Sequence, residues 1–95
     1  MKYLSAVRDI LECIDKSMDC EEFNYETLSE GNFGLSYTRY NFIMGELVAN
    51  GYIGGVKMIE REGYQAMPYA RLERPYITLK GAEFYETHFE GKKKK

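Results

Sequence analysis

Apolar residues recur at helical spacing through the first half of the chain, and after Gly51 the pattern becomes that of strands. Tyr3, Leu4, Val7, Ile10, Leu11, Ile14 and Met18 make one stripe, with Ser5, Asp9, Glu12, Asp15 and Lys16 opposite it. That spacing predicts a helix over 3–18 with one buried face and one acidic, solvated face. A polar break follows from Asp19 to Glu22. Asn24 is placed to cap a short second helix ending near Glu30, with Phe23 and Leu28 spaced as a hydrophobic staple. Gly31-Asn32-Phe33-Gly34 then has the composition of a turn.

The best-marked helix begins at Ser36, whose hydroxyl can accept a bond from an unpartnered N–H of the first turn. Leu35 and Tyr40 are spaced as its staple, and Asn50-Gly51 is its stop. Tyr37, Tyr40, Ile43, Met44, Leu47 and Val48 are expected to face the core, and Thr38, Arg39, Phe42, Gly45, Glu46 and Ala49 to face outward. Residues 52–59 read as a strand in which Gly54-Gly55 marks a bulge or a close backbone approach. Residues 60–70 read as a loop and 71–77 as the returning strand. Pro75 has no N–H to donate, so it requires an edge or a non-bonded position. Thr78 caps a last helix that runs to Gly91, with Ile77 and Ala82 as staple and Leu79, Ala82, Tyr85 and Phe89 as its buried stripe. Two strands alone are marginal, so the hairpin must lean on the helices. The order predicts an α+β fold, a winged helix-turn-helix with three helices, a β-hairpin wing and a C-terminal helix. It occupies one domain over 1–90, and a disordered basic tail follows at 91–95.

With 95 residues, 44% of them hydrophobic, the chain can bury one modest core. No apolar run approaches the roughly 20 residues of a membrane span, and charges throughout MKYLSAVRDILECIDK exclude a secretory h-region. A cytoplasmic protein without a membrane partner is expected. Cys13, Cys20 and His88 are too few for a four-ligand zinc site, and reduced thiols are expected in that compartment. The formal net charge of −2 is unevenly spread. Residues 1–30 carry three basic side chains against eight acidic ones, whereas residues 31–80 carry six against four. A polyanion is attracted to the second region and repelled by the first.

EGNFGLSYTRYNFIMGELVANGYIGGV followed by RPYITLKGAEFYE resembles the YjcQ-type family of small, phage-associated winged-helix proteins. The resemblance runs from about Tyr3 to Phe89. Its most specific parts are the Asn50-Gly51-Tyr52-Ile53 corner and the Ile77-Thr78-Leu79-Lys80-Gly81 start of the last helix. It implies the fold, a bacterial or prophage setting and a DNA-binding role, and it carries over no catalytic or binding residue.

The candidate chemistry is correspondingly sparse. His88 stands alone, Glu21 and Glu22 are merely adjacent, and no glycine cluster has the context of a phosphate loop. The chain is therefore expected not to be an enzyme and to need no metal or cofactor. A duplex-DNA partner is the leading expectation. An α-helix fits the major groove, where Arg39 and Asn41 could read base edges and Thr38 and Phe42 could touch a thymine methyl. Lys57, Arg61, Arg71 and Arg74 are the expected phosphate contacts of the wing. The alternative is a winged helix that binds protein instead. Its homodimer would form through Phe42, Gly45 and Ala49, or through the Tyr64–Tyr69 loop, since exposed aromatics and Met favour interfaces.

Overall fold

The structure is a computed structural model that describes residues 3–23, 25–63 and 67–90. Helix α1, Tyr3–Met18, buries Ala6, Val7, Ile10, Leu11 and Ile14, the centre of the expected stripe. Leu4 and Met18, at the two ends of that stripe, are exposed.

The chain from Tyr25 to Ser29 forms turns and bends, and a 3-10 helix, Glu30–Phe33, follows. The α-helix expected from residue 24 to about 30 is not formed, and the Asn24 cap lies outside the described residues. Phe23 and Leu28 are both buried, but Tyr25, Glu26 and Thr27 between them are exposed, so no continuous apolar stripe holds a helix there. The Asn32 amide donates to the carbonyls of Glu26 and Thr27 at 3.0 and 2.9 Å and satisfies them outside a helix. Gly34, in the left-handed region, ends the turn.

Helix α2, Tyr37–Ala49, is capped as its sequence predicts, with the Ser36 hydroxyl accepting from the Arg39 N–H at 3.1 Å. Tyr40, Ile43, Met44 and Leu47 complete the core with α1. The phenol of Tyr40 donates to the Leu28 carbonyl at 3.1 Å, tying α2 to the connector.

Strands β1, Ile53–Ile59, and β2, Tyr69–Ile77, form one antiparallel hairpin, and β2 begins two residues earlier than the sequence suggests. Ile53 pairs with Ile77 and Gly54 with Tyr76, and the ladder resumes at Val56 and Leu72. Gly55 alone therefore faces Glu73, Arg74 and Pro75. In this bulge Pro75 is buried where its missing N–H costs no ladder bond. Gly55 has a φ of 73°, and a Cβ there would overlap the carbonyl of Arg74. Glycine is required at this position for both reasons.

Helix α3, Leu79–Tyr85, continues as a π-helical turn over Glu86–Glu90. Its start meets the end of α2 directly. The Thr78 hydroxyl accepts from the Gly81 N–H at 3.0 Å and donates to the Gly51 carbonyl at 2.5 Å, while the Thr78 N–H reaches the Tyr52 carbonyl at 3.1 Å. Gly81 lies so close that a Cβ would overlap the Tyr52 carbonyl. The two most specific sequence segments thus form one junction. Tyr52 and Phe84 stack beside it with centroids 4.4 Å apart, and the Tyr85 hydroxyl donates to Glu12 of α1. Because Gly81 faces the body of the protein, Leu79 points away and is 89% exposed, contrary to the expected buried stripe. Three helices and an antiparallel hairpin make an α+β arrangement compatible with the winged-helix fold.

Candidate nucleic-acid interface

Helix α2 has three sides. Ile43 and Leu47 are buried in the core shared with α1, and Arg39 and Glu46 are exposed beside Tyr3 of that helix. Both act on Tyr3 of α1: burial first, then the Glu46 carboxylate, raises the phenol above its ordinary pKa, and the Arg39 guanidinium opposes the rise.

The second side faces the hairpin. Asn41 is buried there, donating to the Tyr37 carbonyl at 3.0 Å and accepting from the Ala70 N–H at 2.7 Å. Its amide is committed to joining α2 to β2, so it is not a base-reading residue, and the expectation for Asn41 is corrected. Gly45 is on this side too, where a Cβ would sit 3.6 Å from Met58 Cε. It therefore lies outside the outward stripe of the proposed homodimer contact. With Asn41 turned inward, Tyr37 moves outward and is exposed, not buried as its spacing predicted.

The third side is open. It carries Thr38, Phe42 and Ala49, all exposed, with Phe42 at 50%.

The hairpin cations divide into two groups. Lys57 and Arg71 are direct cross-strand partners and both are exposed. Like charges in that position repel, and Arg71 offsets this through Glu73 at 3.5 Å. Arg61 lies over the rings of Tyr37 and Tyr69, 5.5 and 5.4 Å from their centroids. This places its guanidinium on the hairpin margin of the open side of α2. Among the described residues Arg39, Lys57 and Arg61 form no ion pair. Arg74 is different. Its guanidinium donates to the Cys20 carbonyl at 2.6 Å and covers the Phe23 ring at 5.8 Å. It straps the hairpin base to the connector, so part of its donor set is already used, whereas, among the described residues, that of Arg61 is not. Of the 64–69 loop, Met67 is exposed, Tyr69 lies under Arg61, and Tyr64 is outside the described residues.

The surface between α1 and α3 is acidic. A cleft of about 190 Å³ between α1 and α3 is lined by Glu12, Asp15, Glu86 and Tyr85 above Leu11, Ile77 and Ala82. Such a surface repels phosphate. Cys13 and Cys20 are free thiols on the same flank, the first donating to the Thr27 hydroxyl at 3.5 Å. His88 is accounted for locally, with Nδ1 3.0 Å from the Phe84 carbonyl and its ring 4.3 Å from that of Phe84.

A family model described as YjcQ protein matches residues 9–94. The chain belongs to the YjcQ family. The matched span includes most of α1, all of α2, the hairpin and the Gly51–Thr78 junction of this family member. No curated protein and no solved structure is significantly similar to it. Among the described residues, no helix is long and apolar enough to cross a membrane. The Arg61–Tyr37 contact had no signal in the sequence, because the two residues lie in separate elements and Tyr37 has the spacing of a core residue.

Proposed function

We propose that this YjcQ-family protein binds double-stranded DNA as a winged helix and acts as a small transcription regulator in a phage or mobile-element setting. In this reading α2 enters the major groove with Thr38, Arg39 and Phe42, and the hairpin is the wing, with Lys57, Arg61 and Arg71 on phosphates. The observation that carries it is the pair of guanidiniums, Arg39 and Arg61, on either margin of the open side of α2, with no ion-pair partner among the described residues. The setting follows from the family resemblance alone. Titration into labelled duplex at two salt concentrations tests the proposal, with lysines 92–95 replaced by serine to remove their nonspecific attraction. Each phosphate contact should contribute a slope of about −0.9 in log affinity against log salt. Absence of any salt-dependent binding overturns the reading.

A second reading has its own support: Phe42 and Met67 are exposed apolar side chains, as in a protein-interaction module. It expects a salt-insensitive dimer or complex that Phe42→Asp or Ala49→Asp dissolves, and no affinity for duplex.

A further inference from the structure

The open side of α2 is what remains once its other two sides are occupied. The Asn41 amide, which would have paired with adenine, is spent on Tyr37 and Ala70. The Tyr37 ring lies against the Arg61 guanidinium. Glu46 sits on the α1 margin, and its carboxylate can only accept hydrogen bonds. The centre of the surface is the half-exposed ring of Phe42, with the methyl groups of Thr38 one turn before it and Ala49 two turns after it. Apart from the Thr38 hydroxyl the ridge itself offers apolar contact, and the side chains able to pair with base edges, Arg39 and Glu46, stand at its margin. In the major groove the prominent apolar feature of a base pair is the 5-methyl group of thymine. Arg39 and Arg61 flank the ridge, and although Glu46 shares the Arg39 margin, neither guanidinium is in an ion pair among the described residues. Their charge suits a polyanion and places the ridge towards its groove.

We propose that Phe42 is a specificity-determining residue that recognises thymine by its methyl group, with Thr38 and Ala49 extending the contact. The proposal rests on the duplex-DNA reading and deepens it from binding to sequence preference: sites should be rich in A·T pairs because of their methyl groups, not because of an adenine-reading amide.

The test uses the chain with lysines 92–95 replaced by serine, as above, and two short alternating duplexes, one of A·T pairs and one with uracil replacing every thymine. The two differ in the 5-methyl group. Affinity is measured by fluorescence anisotropy at two salt concentrations for this parent chain, Phe42→Ala and Phe42→Leu. The exposed position of Phe42 makes the variants compatible with folding, and circular dichroism checks this. The parent chain should prefer thymine over uracil by about fourfold for each methyl buried in contact. Phe42→Ala should remove most of that preference while keeping the salt slope, and Phe42→Leu should retain part of it. Equal, salt-dependent affinity for both duplexes overturns the methyl-reading proposal and leaves DNA binding standing. A preference that persists unchanged in Phe42→Ala overturns the assignment to Phe42. Salt-independent failure to bind either duplex overturns both readings.

Discussion

The two ends of the hairpin use the same residue type in opposite ways. At the base, Arg74 donates to the Cys20 carbonyl and lies over Phe23, beside a bulge that encloses Pro75 and Gly55. Towards the other end, Arg61 rests on Tyr37 and Tyr69 and leaves its donors to solvent, near the exposed Lys57 and Arg71. Both guanidiniums cover aromatic rings. The difference is the carbonyl acceptor within reach of Arg74, which turns that side chain into a strap. The bond to a carbonyl leaves the charge of Arg74 in place but fixes the position of its side chain, whereas Arg61 is held through its aromatic stacking.

Breaking the base should have the largest effect. Gly55→Ala places a Cβ against the Arg74 backbone at a positive φ, and should destabilise the fold by roughly 2–5 kcal/mol. Urea denaturation reads this as a lower midpoint. An unchanged midpoint would mean that the bulge readily rearranges.

Next comes the strap. Arg74→Ala should cost roughly 1.5 kcal/mol through the lost charged hydrogen bond, with DNA affinity of the folded protein unaltered. Arg74 itself has a φ of 71°, so Arg74→Gly should recover about 1 kcal/mol of that loss by relieving backbone strain. If Arg74→Ala instead abolished duplex binding at full stability, the contrast between the two arginines would collapse.

The connector held by Arg74 is also held by Tyr40, whose pKa burial pushes up to about 12, with the Glu30 carboxylate adding to the rise. Below pH 10 the phenol keeps its proton in the folded and unfolded chains alike, and its contribution is fully present. Between about 10 and 12 the unfolded chain releases that proton while the folded chain retains it. Stability from this group should then fall by about 1.4 kcal/mol per pH unit. Tyr40→Phe should be less stable at neutral pH and show a flatter alkaline decline in denaturation series.

The smallest stability effect belongs to the far end. Arg61→Ala should change folding by only about 0.5–1 kcal/mol, the scale of an exposed cation–π contact. On the proposed function it should weaken all duplexes alike and flatten the salt slope by about 0.9. Comparing it with Arg74→Ala separates the two roles in one pair of variants.

The features legible in the sequence are those fixed within one or two turns of chain. The Ser36 and Thr78 caps, the Asn50-Gly51 stop and the glycine pair of β1 depend on local backbone chemistry, and the structure has each where the pattern predicts it. The centres of the α1 and α2 stripes are similarly robust, since Ile10, Leu11, Ile43 and Met44 are buried whichever way the margins turn. Tertiary structure decided the margins. Asn41 faces inward because a strand N–H 29 residues away needs an acceptor, and that rotation brings Tyr37 out to meet Arg61. Arg74 turns back because a carbonyl 54 residues away lies within reach. The connector forms turns instead of a helix because Phe23 and Leu28 find the core without one, and Asn32 satisfies the carbonyls left over. Caps and stripes are properties of neighbouring residues; the partner of a polar group at an edge exists only once distant segments have been brought together.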